Sequence, residues 1–233
     1  MIKFLLTIAM LACPAAFAMT AKSWLVADSD GHVLHSNNSQ ESRSIASITK
    51  LMTVMVILDK QQDLDELLGT YTRRALIKLA LIKSDNQATQ VLCDNYDGFR
   101  NSCVKEMNRK AQQLGMTSTR FIDSTGLNIM NISTASDLVK MVIESSRYQE
   151  IINASNIRQT KIHTRAKWVV INNTNPIVDK YNFLVSKTGY IRASGGCIVM
   201  MLDTNVGRRI VVLLGSKNTH TRIPEAESIA RQF

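Results

Sequence analysis

The sequence contains few of the residues that interrupt regular structure or bind metals. Its 233 residues include only 3 prolines and 10 glycines, which excludes a collagen-like or low-complexity chain. The 4 cysteines form no C-x-x-C pair and the histidines form no H-E-x-x-H pair, so we expect no metal site and no cofactor. The remainder is 45% hydrophobic and 20% charged, a composition typical of one globular domain with a sizeable core.

The amino terminus is predicted to be a secretory signal peptide. Lys3 provides a positive start, a short apolar run follows, and small residues precede a cleavage point after Ala18. The run is too short to span a membrane, so we expect an exported chain without a stable membrane anchor. The "MLAC" segment ending at Cys13 is only a faint match to a lipoprotein cleavage box. Residues 19–233 are then expected to form a single domain.

The number of cysteines leaves the disulfide pairing open, and the net charge is only a weak indication of the binding partner. Removal of the signal peptide leaves Cys93, Cys103 and Cys197, an odd number. Cys93 and Cys103 could pair across the short connection between them, or all three could be small buried hydrophobes. The net charge of +9 favours anionic polymers, but no motif supports nucleic acid as a partner.

Hydrophobic patterning predicts a sheet built from both ends of the chain. A hairpin is expected from Trp24–Ala27 and Val33–His35, and an almost wholly apolar helix from Ser47 to Lys60. More helices follow to residue 147, and we expect residues of about 61–147 to form a helical lobe. After about residue 156 the chain is β-rich until a final helix in "PEAESIARQF". A cleft between sheet and lobe is a favoured place for a site.

Three short motifs occur in a fixed order and point to acyl transfer. They are Ser47-Ile48-Thr49-Lys50, Ser84-Asp85-Asn86 and Lys187-Thr188-Gly189. The patterns S-x-x-K, S-D-N and K-T-G together are typical of penicillin-binding proteins and class A β-lactamases. Each motif is weak alone, because a second S-x-x-K starts at Ser102. Only the motif at Ser47 begins an apolar helix, and K-T-G occurs once, on a predicted strand.

The chemistry of a serine nucleophile fits this spacing. A serine hydroxyl needs a nearby base to take its proton. A spacing of three places Lys50 on the same helix face as Ser47, with their Cβ atoms about 5–6 Å apart. Burial and a second cation, Lys187, would lower the pKa of Lys50 so that it could act as the base. The start of the helix provides a backbone N–H at Ser47 for an oxyanion.

At these motifs the chain resembles the low-molecular-mass penicillin-binding proteins, and within them the D-alanyl-D-alanine endopeptidase branch. The segments "SIASITKLMT", "AQQLGMTSTRFIDSTGLN", "STASDL", "NNTNPIV" and "SKTGYIRASGGCIVM" carry the resemblance in the same order. It implies an α/β (α+β) fold like that of β-lactamases and DD-peptidases, with a five-stranded antiparallel sheet flanked by helices plus a helical lobe. It also implies a periplasmic serine peptidase that acts on peptidoglycan peptides and is inhibited covalently by β-lactam antibiotics.

The resemblance assigns a role to each motif residue. Ser47 would be the acylated nucleophile, Lys50 its base, and Ser84 a proton relay towards the leaving amine. Asn86 would hold the substrate amide and Lys50, while Lys187 and Thr188 would bind the substrate carboxylate. Gly189 would allow a close approach of the strand. The backbone N–H groups of Ser47 and Tyr190 would form the oxyanion hole, and Arg192 and Arg209 are possible helpers in carboxylate binding.

Two departures from the family pattern keep alternatives open. The segment between Ser47 and Ser84 is shorter than in family members, which is either a trimmed loop or a sign of an inactive peptidoglycan-binding relic. The chain also ends soon after its last strand, which favours the endopeptidase over the D-Ala-D-Ala carboxypeptidase branch. A β-lactamase would need a deacylating glutamate, and the nearest candidate is Asp123, in the wrong register and of the wrong length.

Overall fold

The computed structural model of the protein describes residues 19–97 and 101–233. The predicted signal peptide, residues 1–18, lies outside the described residues. The strands are β1 (Ser23–Ala27), β2 (Val33–Asn37), β3 (Arg43–Ser44), β4 (Leu67–Leu68), β5 (Tyr71–Thr72), β6 (Ile132–Ser133), β7 (Gln159–His163), β8 (Trp168–Asn172), β9 (Phe183–Ile191), β10 (Gly195–Thr204) and β11 (Gly207–Ser216). The helices are α1 (Thr49–Asp59), α2 (Arg73–Lys78), α3 (Asn86–Asp94), α4 (Ser102–Gln113), α5 (Ala135–Ser145), α6 (Gln149–Asn156) and α7 (Arg222–Gln232).

The main sheet has five antiparallel strands in the order β2-β1-β11-β10-β9. The two ends of the chain therefore build one sheet, which confirms the prediction. β10 and β11 are buried on both faces along most of their length, because helices cover both faces of the sheet. β9 forms one edge and carries the K-T-G motif, with Lys187 paired to Val199 of β10.

The sheet separates two apolar clusters. One cluster lies between the sheet and α7. The larger one extends from the opposite face through α5 and α1 into the remaining helices. Every residue of α1 from Thr49 to Ile57 is buried, as expected for a helix that is apolar on all sides. Because it is buried on all sides, this helix holds the residues at its amino end in a fixed position.

Two parts of the chain differ from the sequence prediction. The β-rich segment after residue 156 contributes β9, β10 and β11 to the main sheet, but β7 and β8 form a separate hairpin. Each of its strands buries a single residue fully, Ile162 or Ile171, which suits a ribbon that covers helices on one side only. Helix α6 was not predicted, because "QEIINASN" has a weak helix propensity and no side-chain cap.

The short segment before Ser84 is well anchored. It contains the β4–β5 hairpin, and α2 follows directly. The buried Arg73 side chain donates hydrogen bonds to the Asp63 carbonyl oxygen at 3.2 Å and to Glu66 Oε2 at 2.5 Å. Among the described residues, no helix is both long and apolar enough to cross a membrane.

Candidate active site

Ser47 lies on a tight turn that delivers its side chain to the amino end of α1. A 3-10 turn, Ala46–Ile48, runs directly into the helix. Ala46 has a φ of +46°, a left-handed conformation that is costly for a residue with a Cβ and is concentrated at functional sites. The turn is fixed on one side by the Ile45 amide, which donates to the Asn131 carbonyl oxygen at 3.1 Å.

Lys50 is fully buried and donates three hydrogen bonds. Its Nζ lies 2.8 Å from Ser47 Oγ, 2.7 Å from Asn86 Oδ1 and 2.6 Å from the Thr125 carbonyl oxygen. Burial lowers the pKa of Lys50 to about 8, although the carboxylates of Asp123 and Asp85 act in the opposite direction. A substantial neutral fraction of this amine therefore exists close to neutral pH, within reach of the serine proton.

The second motif lies where two helical segments meet. A π-helical segment, Leu79–Lys83, continues α2 and ends at Ser84, whose φ is +60°. Asp85 then caps α3 by accepting a hydrogen bond from the Ala88 amide at 2.9 Å. The strained residue and the cap together direct the Ser84 hydroxyl and the Asn86 amide towards Lys50 and Lys187.

The Lys187 side chain extends from the edge strand β9 to Ser84 of the second motif. Only 1% of its surface is exposed, and its Nζ donates to Ser84 Oγ at 2.8 Å and to the Thr188 carbonyl oxygen at 2.9 Å. Burial lowers the pKa of Lys187 well below its usual value, and the positive charges of Lys50 and Arg222 lower it further. The two amines are therefore close enough for Lys50 to affect the charge of Lys187. Among the described residues, no carboxylate is hydrogen-bonded to either amine.

Gly189 permits the close approach of β9 to the serine turn. A methyl group on Gly189 would lie 3.0 Å from the Ile45 carbonyl oxygen and 3.1 Å from the Ser47 backbone nitrogen, which is tighter than ordinary van der Waals contact. The Ser47 amide therefore faces the strand at the Gly189–Tyr190 step. Tyr190 follows with a half-exposed side chain, and Thr188 Oγ1 donates to Thr174 Oγ1 at 2.7 Å.

The loop that begins at Asp123, considered from the sequence only as the source of a deacylating group, contacts Lys50. The Asp123 carboxylate accepts hydrogen bonds from the backbone amides of Thr125, Gly126 and Asn128, each at 2.6 Å. This loop supplies the Thr125 carbonyl oxygen to Lys50. Gly126 has a φ of +84°, and a methyl group there would lie 1.9 Å from the Ala46 carbonyl oxygen, so only glycine fits.

The arginine beside the K-T-G strand is Arg222, which the sequence reasoning also missed. It is buried at the first position of α7, and its Nη1 donates to the Gly189 carbonyl oxygen at 2.7 Å. A cation at a helix amino end opposes the helix dipole, and that mismatch was the available signal. Of the two predicted helpers, Arg192 is exposed in the β9–β10 turn. Arg209 lies towards the opposite end of the sheet and donates to the Phe233 carbonyl oxygen.

Of the three cysteines that the structure describes, two form a disulfide and one is a free thiol. Cys93 and Cys103 form a disulfide that joins α3 to α4. Cys197 is a free thiol, fully buried in β10. Its pKa is raised by burial, so it is an apolar sheet residue and not a reactive group.

Comparison with known proteins identifies the family. The chain matches the peptidase S11 family, described as D-alanyl-D-alanine carboxypeptidase, over residues 10–68 and 64–218. The two matches meet inside the short segment between the first two motifs.

Three curated relatives named D-alanyl-D-alanine endopeptidase are similar over most of the chain. The Pseudomonas aeruginosa protein is 34% identical over 94% of this chain and 78% of its own length. The Escherichia coli protein is 35% identical over 84% and 71%, and the Haemophilus influenzae protein is 36% identical over 89% and 78%.

Solved structures share the fold. Penicillin-binding protein D2 from Listeria monocytogenes, in its ampicillin-bound form, aligns with a TM-score of 0.82 at 24% identity, over 92% of this chain and 98% of its own. The Streptomyces K15 DD-transpeptidase aligns with a TM-score of 0.82 at 22% identity, over 91% of this chain and 96% of its own. With a family match that covers most of its length, this chain belongs to the peptidase S11 family and is a serine hydrolase.

Proposed function

We propose that the protein is a D-alanyl-D-alanine endopeptidase that cleaves peptidoglycan cross-links through an acyl-enzyme on Ser47. The observation that carries the proposal is the Lys50 amine, fully buried, 2.8 Å from the Ser47 hydroxyl and with its pKa lowered to about 8. A buried lysine in this condition serves as a general base, and a serine beside it serves as a nucleophile.

In acylation, Ser47 Oγ would attack the carbonyl carbon of the scissile D-alanyl bond while its proton passes to Lys50 Nζ. The negative charge that develops on the carbonyl oxygen would be stabilised by the backbone N–H groups of Ser47 and Tyr190. The proton taken up by Lys50 would then be relayed to the leaving amine through the Ser84 hydroxyl, which gives up one proton and takes another and which is hydrogen-bonded to Lys187. Water then hydrolyses the ester and restores the free serine.

Substrate binding would use the remaining motif residues. Asn86 shares Lys50 with Ser47 and would hold the substrate amide. Lys187 and Thr188 would bind a substrate carboxylate, whose negative charge would restore the protonated form of Lys187. Gly189 would keep β9 close enough to Ser47 for substrate to lie along the strand edge.

The Asp123 carboxylate does not supply a deacylating base. Both of its oxygens accept hydrogen bonds from the amides of its own loop, so its role is to shape that loop. We therefore propose slow hydrolysis of β-lactam acyl-enzymes and hence covalent inhibition by β-lactam antibiotics. This argues against the β-lactamase alternative.

We also propose where the protein acts and which residues form its catalytic domain. Residues 1–18 act as a cleaved signal peptide, residues 19–233 form one catalytic domain in the periplasm, and no cofactor takes part. The Lys50–Asn86 hydrogen bond joins the two motifs on either side of the short segment, which argues against an inactive relic.

Digestion of purified muropeptides tests the substrate assignment. We expect the wild-type protein to convert cross-linked dimers into monomers and the Ser47→Ala protein to leave them intact. The family description is that of a carboxypeptidase, which is the second candidate. Loss of only the terminal D-alanine from monomers, with dimers untouched, would contradict the endopeptidase proposal in favour of that activity.

A further inference from the structure

A basic groove lies between α2 and the β7–β8 hairpin, outside the catalytic motifs. It is a cavity of about 390 Å³ whose lining includes Arg74, Lys78, Lys161, His163, Arg165 and Trp168. Lys161 and His163 alternate along β7 and so project from the same face of the hairpin. Trp168, paired with His163 across the hairpin, is 64% exposed.

Most of the positive charge in the basic groove is not neutralised by the protein. Arg74 forms an ion pair with Asp65 at 3.0 Å, and Glu150 lies beside Arg74 and Lys78. Lys78, Lys161 and Arg165 have no ion pair within the described part of the chain. Several uncompensated cations around one concave surface attract an anionic ligand.

The basic groove is separated from the second motif by one further cavity. A neighbouring cavity of about 470 Å³ shares Thr70 with it and extends past Val169 to Asp85. Asp85 is the middle residue of the S-D-N motif, so the two neighbouring cavities together run from the hairpin towards the second motif, although Ser84 and Asn86 line neither of them. A peptide bound at the motifs would have to follow both cavities to reach the basic groove.

We infer that the basic groove binds a carboxylate-bearing stretch of the peptide substrate remote from the scissile bond. The inference rests on the proposed function, which supplies a long peptide substrate. Peptidoglycan peptides carry free carboxylates along their length, which complement Lys78, Lys161 and Arg165, while the exposed face of Trp168 offers apolar contact area. The groove would thus favour long cross-linked peptides over short ones.

The test measures binding in the Ser47→Ala protein, which does not depend on turnover. The ligand is a fluorescently labelled cross-linked muropeptide dimer, free or with its carboxylates amidated. The groove variant is Lys161→Gln/Arg165→Gln, and the matched control is Lys22→Gln/Lys105→Gln, which removes two exposed cations elsewhere. We expect the groove variant to raise the Kd of the free dimer about three- to tenfold in low salt. The effect should shrink at about 0.5 M salt, and the control should not change.

Two further readouts separate a binding subsite from a structural effect. The amidated dimer should bind the groove variant and its parent equally. With Ser47 intact, benzylpenicillin should acylate the groove variant at the parental rate, because this small ligand does not reach the hairpin.

Three results would overturn the inference. They are equal Kd values of the groove and control variants for the free dimer, a rise in Kd of the groove variant for the amidated dimer as large as for the free dimer, and no measurable binding of the dimer. The inference is also overturned if the groove variant loses affinity for inorganic polyphosphate but keeps its affinity for the dimer, which would assign the groove to an anionic polymer. Failure of the wild-type protein to cleave dimers would instead refute the proposed function. The Kd measurements would still test the inference, because they do not depend on cleavage.

Discussion

Raising the pH should accelerate the acylation of Ser47 in a way that reports the ionisation of Lys50. Burial lowers the pKa of Lys50 from its usual value of 10.5 to about 8. The neutral amine is the form that accepts the proton, so reactivity is gained as the pH rises through about 8. The neutral fraction is about a tenth at pH 7, about half at pH 8 and about nine tenths at pH 9. Compared with a solvated lysine, burial increases that fraction at pH 7 roughly three-hundredfold.

The assay is the second-order rate constant for acylation by a fluorescent penicillin, measured between about pH 6.5 and about pH 9.5, because this constant reports ionisations of the free enzyme. We expect about a tenfold rise from pH 7 to the plateau. The Lys50→Arg protein, whose guanidinium stays protonated, should be slower by a factor of at least about a hundred at every pH.

A matched variant separates the two lysines. The Lys187→Arg protein has a guanidinium at this position that stays protonated throughout the pH range. Position 187 then no longer titrates, so a rise in rate that persists in this variant reports Lys50 even if the absolute rate falls. A flat profile in the parent protein, or a rise that disappears in Lys187→Arg, would refute the assignment of Lys50 as the base.

Three further predictions concern the frame of the site. Gly126→Ala should destabilise the protein by at least about 2 kcal/mol in urea unfolding and slow acylation. Gly69→Ala, at a φ of +70° with no atom near the added methyl group, should cost only about 1 kcal/mol; equal losses would contradict the clash with Ala46. Cys93→Ala/Cys103→Ala should lose about 3 kcal/mol of stability by releasing a loop of 10 residues, and an unchanged unfolding midpoint would exclude this. Arg222→Ala should reduce acylation at least about tenfold by removing the buried hydrogen bond to the Gly189 carbonyl oxygen, with partial rescue by Arg222→Lys; wild-type rates in Arg222→Ala would show that this bond has no role.

The predictable part of the fold came from patterns that repeat along the chain. The apolar helix after Ser47 and the long β-strands near the carboxyl end have strong periodicity, and so they were predicted correctly. The strand pairing of β7 with β8 alone was not, because hydrophobic pattern does not distinguish a ribbon lying on helices from a strand inside the main sheet. Helix α6 was missed because tertiary packing, and not propensity, holds it.

The side chains of the site could be predicted from sequence motifs, whereas its backbone contacts could not. The three motifs predicted that Ser47, Lys50, Ser84, Asn86 and Lys187 come together. In the structure Lys50 hydrogen-bonds to Ser47 and Asn86, and Lys187 hydrogen-bonds to Ser84. The Thr125 carbonyl could not be predicted, because a backbone acceptor has no residue signature. Asp123 before "STG" had a usable signal, since an aspartate in that position commonly organises a turn.

Intact-protein mass spectrometry with benzylpenicillin tests the central claim most directly. The protein is incubated with and without the antibiotic, beside a Ser47→Ala control. We expect a stable covalent adduct of one benzylpenicillin on the wild-type protein, mapped by peptide digestion to Ser47, and none on the control. Folded wild-type protein without an adduct, or an adduct that persists in Ser47→Ala, would contradict the assignment of Ser47 as the nucleophile.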